Sequence, residues 1–159
     1  MSGLSDLSAR PDAPSIREAR PDDATPACSL IRSSIVELCF EDHAGDRGKL
    51  AAWLANKTPE NLRTWIVQSH VFVAERGGRM AGVGALTGDG HITLLYVAPK
   101  DRLTGVSKAL LLGLEERARD LGLNEVRVTS SLTAEQFYTA AGYTALAPDA
   151  RRPVYGKCL

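Results

Sequence analysis

The stretch from Leu94 to Leu112 (LLYVAPKDRLTGVSKALLL) holds the residues whose types and spacing most readily suggest chemistry. It reads as a buried strand stopped at Pro99, then Arg102, then a small-residue turn opening a long helix. The start of a helix carries free backbone N–H groups and a partial positive charge. Gly105 lets the backbone approach a ligand closely, Ser107 is too small to block it, and Arg102 and Lys108 add positive charge. Together these form an anion site suited to a pyrophosphate. The same spacing also fits an ordinary strand–helix connection that contains a glycine, and spacing alone leaves both readings open. Other phosphate motifs fail. The chain has no G-x-x-x-x-G-K-[ST]. Gly82 and Gly84 stand in a strand, with Thr87 where a third glycine belongs. This argues against a nucleotide hydrolase or a nicotinamide-dinucleotide enzyme.

The elements that must position this stretch follow from periodicity and turn residues. Ser15 to Ala19 reads as a first strand, and Arg20-Pro21-Asp22-Asp23 breaks it and offers Asp caps for a helix. Ala27, Ile31, Ile35 and Leu38 recur at helical spacing. Glu41 to Gly48 reads as a loop, followed by a second helical stretch with Leu50, Trp53 and Leu54. Thr58 and Pro59 start a third helix with Leu62, Trp65 and Ile66 as its buried stripe. The period then changes. His70–Glu75 and Met80–Leu86 form a hairpin about Gly77-Gly78, and His91–Val97, the most apolar strand, is expected at the centre of the sheet.

Residues 103 to 121 read as a long helix with Val106, Leu110, Leu114, Ala118 and Leu121 on one face. Glu115 and Arg119 are expected to pair on the other face, and Gly122 to end the helix in the left-handed conformation. Asn124 to Ser130 alternates as a strand. Thr133 with Gln136 suggests a capping box, and Leu132 with Phe137 a hydrophobic staple, for a short helix ending at Gly142. Within it Phe137 is the better core candidate. Tyr143–Leu146 and Pro153–Cys158 read as closing strands. The fold class is α/β (α+β): a mixed, mostly antiparallel central sheet flanked by helices.

Composition sets the class. A chain of 159 residues suggests one domain, expected over residues 15–159 after a mobile, Ser/Asp/Pro-rich tail over residues 1–14 that lacks the apolar core of a signal peptide. Nineteen basic residues balance nineteen acidic ones, so no overall field draws in nucleic acid or an anionic membrane. No apolar run reaches the ~20 residues of a membrane span. Three cysteines without a CxxC or zinc-ligand spacing read as free thiols in a reducing cytoplasm, two of them packed, and no metal is expected.

Two segments bear a resemblance. Tyr96-Val97-Ala98-Pro99-Lys100-Asp101-Arg102-Leu103-Thr104-Gly105-Val106-Ser107-Lys108-Ala109-Leu110-Leu111 resembles the R/Q-x-x-G-x-G/A acetyl-CoA signature of the GCN5-related N-acetyltransferase (GNAT) superfamily, with its preceding V-x-P strand end. Ser131 to Tyr143 resembles that superfamily's N-x-x-A-x-x-F-Y-x-x-x-G-F/Y segment. The element order fits the same fold from about Ser15 onward. Three positions depart: Leu103 stands where a Gly is frequent, Ser107 where Gly or Ala is usual, and Ser131 where an Asn often stands.

The resemblance implies roles. The amides of Arg102, Leu103, Thr104, Gly105, Val106, Ser107 and Lys108 would hold the pyrophosphate of acetyl-CoA. The main chain at Leu95, Tyr96 and Val97 would pair with the pantetheine arm, Ser131 would stand near it, and an N–H near Val97 would polarise the thioester carbonyl. Tyr138 would be the acid that protonates the departing thiolate. The first helix, the loop after it and the Trp53–Trp65 region would form one wall of the acceptor site. For a base, Glu37, Asp42, His43 and His91 qualify by type only, each reads more readily as a solvated surface residue, and a water chain could serve. Cys39 has no base paired with it in sequence and reads as a buried thiol. The implied activity is an acetyl-CoA-dependent N-acetyltransferase acting on a small-molecule or peptide amine, in a family that commonly forms homodimers. The alternative is a non-catalytic acyl-CoA-binding or sensing module, which Leu103, Ser107 and Ser131 keep open and Tyr138 weighs against.

Overall fold

The computed structural model describes residues 13–131, 134–146 and 153–159. The expected tail lies outside them apart from residues 13 and 14, and so do the capping box and staple that need residues 132 and 133. The strands are β1 (Ser15–Glu18), β2 (His70–Arg76), β3 (Arg79–Leu86), β4 (His91–Val97), β5 (Glu125–Thr129), β6 (Thr144–Ala145) and β7 (Val154–Cys158). The helices are α1 (Ala24–Leu38), α2 (Phe40–His43), α3 (Arg47–Leu54), α4 (Pro59–Gln68), α5 (Val106–Asp120) and α6 (Glu135–Ala140).

One seven-stranded sheet runs in the order β1-β2-β3-β4-β5-β7-β6, which puts the most apolar strand, β4, at its middle. Every neighbouring pair is antiparallel except β4–β5. The fold is therefore the mixed, mostly antiparallel sheet with flanking helices that the sequence implies. Two apolar clusters lie on its two faces. Helices α5 and α6 cover one, where Phe72, Ile92, Val97, Leu110, Leu114 and Tyr138 meet. Helices α1, α3 and α4 cover the other, with Ile31, Ile35, Leu62, Val73, Val83 and Leu94.

Two irregularities decide how the faces of the sheet meet the helices. On β4, Leu94 opposes Ala85 but Ile92 opposes Leu86, so Thr93 is an extra residue. The bulge inverts the alternation: Ile92 joins the α5 face although Leu94 joins the α1 face. On β3, a Cβ at Gly82 would stand 2.7 Å from both Leu110 and Val106, and one at Gly84 would stand 3.2 Å from Leu114. These glycines let α5 lie directly on the strand, which accounts for a pair that no nucleotide motif explains.

Local signals are mostly realised. Thr58 caps α4, its hydroxyl accepting from the Asn61 N–H at 3.1 Å, with Pro59 at the first helical position. Gly122 ends α5 at φ 79°. Several expectations are corrected. The Asp22–Asp23 pair forms a 3₁₀ turn rather than a cap, and Asp23 instead accepts from the Arg20 N–H and pairs with Arg17. The Glu41–Gly48 loop is largely replaced by α2 and the start of α3. Glu115 faces the core rather than solvent, and its partners are Tyr143 and Lys157, not Arg119.

Candidate active site

Parallel pairing between β4 and β5 covers only His91–Arg127 and Ile92–Val128. Past Ile92 the two strands part, and β5 instead pairs with β7 along its other edge. The edge of β4 from Leu94 to Val97 therefore borders an opening in the middle of the sheet. The Ala98 N–H donates to the Ala81 carbonyl at 2.8 Å, which fixes the phase of the β3–β4 ladder. Alternation then turns the N–H and C=O groups of Leu95 and Val97 away from β3, toward the opening. Their side chains pack on the α5 face, and those of Leu94 and Tyr96 on the α1 face.

The helix beside the opening begins at Val106, three residues later than the periodicity suggests. A 3₁₀ turn over Pro99–Asp101 comes first, and the chain then passes through two left-handed residues, Leu103 at φ 61° and Gly105 at φ 87°. Apolar spacing cannot register such a turn, because Leu103 and Thr104 carry no helix-breaking signal. Gly105 is the N-cap, and the Ala109 N–H closes the first helical bond onto its carbonyl at 3.0 Å. The N–H groups of Val106, Ser107 and Lys108 precede that bond and have no acceptor within the helix. Arg102 and Lys108 are exposed beside them, and Ser107 is half-buried. The Leu103 side chain is 99% exposed, so its consequence lies in the backbone it occupies rather than in crowding against the protein.

Asp101 anchors this loop. Its side chain is 0% exposed and pairs with Arg76 at 3.1 Å and with Arg79, both at the tip of the β2–β3 hairpin. Its carbonyl accepts from the Thr104 hydroxyl, and its N–H donates to Ala98 at 2.8 Å. The Arg79 hydrogen bond, reinforced by Arg76, holds the Asp101 carboxyl below its ordinary range against the opposing effect of burial. Sequence spacing could not reveal this clamp, since its partners come from a separate hairpin.

Tyr138 sits on α6 and is buried, while Phe137 is only half-buried, the reverse of the expected order. The Tyr138 ring lies edge-on between Phe137 at 5.2 Å and Tyr143 at 5.5 Å. Burial, with a smaller contribution from Tyr96, pushes its phenol above the ordinary tyrosine range. Tyr96 in turn accepts a hydrogen bond from the Trp53 indole N–H at 3.2 Å, which ties β4 to α3. This aromatic tie is absent from any sequence motif. The alternation of β4 past its bulge is the only signal that could have pointed Tyr96 toward Trp53. Ser131 is half-buried, and its carbonyl accepts from the Ser130 hydroxyl at 2.7 Å and the Ala134 N–H at 3.2 Å.

Three of the base candidates lie in one short segment, Glu37 on α1 and Asp42 and His43 on α2, and His91 stands apart on β4. His91 stands at the far end of β4 from Val97, roughly 20 Å along the strand. Glu37 is exposed, Asp42 is half-buried, and His43 is buried with its Nδ1 accepting from the Gly45 N–H at 3.1 Å. Burial and nearby Asp42 push the Cys39 thiol up to about 12, which leaves it protonated and a poor nucleophile. All three cysteines are free, with Cys28 and Cys39 buried and Cys158 exposed.

Residues 41–153 match the family model described as an acetyltransferase (GNAT) domain. A comparison with curated protein sequences found no match. Among solved structures, a GCN5-related N-acetyltransferase from Rhodopseudomonas palustris is similar, with TM-score 0.84 and 24% identity over 92% of this chain and 96% of that one. The PaiA N-acetyltransferase of Thermoplasma acidophilum, in complex with coenzyme A, has TM-score 0.80 and 19% identity over 92% of this chain and 99% of its own. Rv2747 of Mycobacterium tuberculosis, in complex with CoA and NLQ, has TM-score 0.68 and 19% identity over 91% of this chain and 99% of its own.

Proposed function

The chain belongs to the acetyltransferase (GNAT) family, and from that premise we propose that it transfers the acetyl group of acetyl-CoA to a primary amine by direct attack within a ternary complex. One observation carries the reading. The free edge of β4 leads into the N-terminus of α5, and Tyr138 packs in the same apolar cluster as Val97 and Val106. The amides from Arg102 to Lys108, with Gly105 open to approach, suit the pyrophosphate. A Cβ at Gly105 would meet nothing within 4 Å, so the space beside it is free for a ligand. The main chain at Leu95, Tyr96 and Val97 suits an extended arm that adds to the strand edge.

In this reading the amine nitrogen attacks the thioester carbon, and the Val97 N–H donates to the carbonyl oxygen as negative charge develops there. The carbon–sulfur bond then breaks, the Tyr138 hydroxyl gives its proton to the leaving sulfur, and the proton shed by the nitrogen passes through water, which reprotonates Tyr138. Burial keeps the Tyr138 phenol in its neutral, proton-bearing form and also makes it a weaker acid than a free tyrosine, so the proton moves only as charge develops on the departing sulfur. The Trp53–Tyr96 pair and the end of α1 form the wall on the acceptor side.

Thiol release tests the proposal. Purified protein is given acetyl-CoA with spermidine, an aminoglycoside, an amino acid or a peptide with a free N-terminus. Release of CoA that depends on one of these amines is the expected result. Tight acetyl-CoA binding without release from any amine would favour the acyl-CoA-sensing module.

A further inference from the structure

Glu115 is a carboxylate 2% exposed in the middle of α5, on the face where every other buried residue is apolar or alanine. Burying a charge is unfavourable unless it is paired, and packing alone would be served as well by an apolar side chain. The pairing is complete. One Glu115 oxygen accepts from the Tyr143 hydroxyl at 2.8 Å, and Lys157 Nζ from β7 reaches both oxygens at 3.2 and 3.3 Å. What the carboxylate adds over an apolar residue is direction: it sets where the Tyr143 phenol lies.

Tyr143 is in turn the support of Tyr138. The two rings meet edge-on at 5.5 Å with 63° between their planes. The Tyr143 N–H also donates to the Tyr138 carbonyl at 3.0 Å. Gly142 at φ 94° makes the reversal that returns Tyr143 beneath the helix it follows. Helix α6 has six residues, too few to hold its own orientation without tertiary contacts. Beside the packing of Ala134, Phe137 and Ala141 on the same core, the Tyr143 anchor is the hydrogen-bonded contact that can set its angle and the aim of the Tyr138 hydroxyl.

We propose that Glu115 is a positioning residue for Tyr138, acting through Tyr143. The proposal rests on Tyr138 being the proton donor in acetyl transfer. Tyr143→Phe removes the anchoring hydroxyl while keeping the ring. Glu115→Gln keeps an acceptor for that hydroxyl, and Glu115→Ala removes it.

Two readouts decide. The first needs no acceptor: the aromatic ring resonances of Tyr138, assigned by their loss in Tyr138→Phe, are compared among the variants. Tyr143→Phe and Glu115→Ala should shift or broaden them, and Glu115→Gln should leave them near their original positions. Unmoved Tyr138 resonances in folded Tyr143→Phe would overturn the proposal. The second is thiol release with the amine that turns over. Tyr143→Phe should lower kcat roughly 10- to 100-fold with KM for acetyl-CoA nearly unchanged. In a Tyr138→Phe background it should cause no further loss. An equal loss in that background means general structural damage and overturns the positioning role alone. Full turnover of Tyr138→Phe by itself would instead remove the acid reading, and the positioning role with it.

Discussion

On one face of the sheet, α5 buries Val106, Leu110, Leu111, Leu114 and Ala118 and seats its first turns on Gly82 and Gly84. On the other face, the eight-residue α3 buries no residue and borders a groove of about 500 Å³ lined by Arg32, Arg47, Leu50 and Leu54. The α5 side fixes its buried charges with two partners each: Asp101 with Arg76 and Arg79, Glu115 with Tyr143 and Lys157. The α3 side is tied down by hydrogen bonds to uncharged acceptors. Arg32 reaches the carbonyls of Leu54 and Lys57, and Trp53 reaches Tyr96. A rigid side suits a constant acyl donor, and a loosely packed side suits an acceptor wall that can change without disturbing the donor site.

The largest expected effects fall on the rigid side. Tyr138→Phe keeps the ring and should lower turnover by roughly 10²–10⁴ with acetyl-CoA affinity held within a few-fold. Because burial raises this phenol, the wild-type kcat should show no alkaline fall from Tyr138 below about pH 10. Steady-state kinetics from pH 6 to about 10 checks both. Gly105→Glu should weaken acetyl-CoA by roughly 100-fold in a calorimetric titration. The side chain stands in the open space assigned to the ligand, and a carboxylate beside the phosphates adds about 1 kcal/mol of repulsion at the surface. Unchanged affinity would mean that the rigid side is not the donor side.

Asp101→Asn should lower the melting temperature by roughly 4–8 °C near neutral pH, the worth of about 2 kcal/mol in a domain of this size. The sign of its pH dependence follows from the depressed carboxyl. The clamp's contribution is complete above the unfolded value of about 4 and is lost as pH falls through the lower folded value. Thermal melts of the two proteins should therefore differ at neutral pH and converge in acid below about pH 4.

The same contrast explains what the sequence made legible. The β2–β3 hairpin, β4 and the body of α5 follow from alternation, glycine turns and helical spacing, all of which are local. The strand end and the helix of the candidate site on the α5 side were legible for the same reason, since they occupy one continuous stretch, but the left-handed turn that delays the helix to Val106 was not. The other failures were non-local. Glu115 and Arg119 satisfy the i,i+4 rule, but Tyr143 and Lys157, 28 and 42 residues away, draw Glu115 inward. Phe137 and Tyr138 are equivalent on a six-residue helix until α5 decides which one faces in. The Trp53–Tyr96 tie joins residues 43 apart. It also depends on the bulge at Thr93, which no residue type announces.

A milder test probes the loose side. Trp53→Phe removes the indole N–H that holds Tyr96 while keeping an aromatic ring. Acceptor KM should rise by about 3- to 10-fold, the worth of one hydrogen bond, while acetyl-CoA affinity stays constant in calorimetry. A loss of acetyl-CoA affinity instead would put Trp53 on the donor side and erase the contrast between the faces.

The smallest effect is expected at Leu103, and two variants separate its causes. The residue holds φ 61°, and its side chain is 99% exposed. Removing the side chain therefore forfeits almost no buried surface. Leu103→Gly relieves a left-handed strain of about 1–2 kcal/mol, against about 0.5–1 kcal/mol of added freedom in the unfolded chain. The net is a gain of about 0.5 kcal/mol, a rise of roughly 1–2 °C in melting temperature. If the strained loop also resists the geometry that acetyl-CoA needs, affinity should tighten by about two- to five-fold in the same variant. Leu103→Ala keeps the backbone strain but removes most of the bulk. Tightening in Gly but not Ala would assign the departure to backbone conformation. Equal tightening in both would assign it to the exposed side chain standing in the ligand's path. No change in either would show that the loop tolerates Leu103 without consequence, because the Asp101 clamp already fixes the geometry.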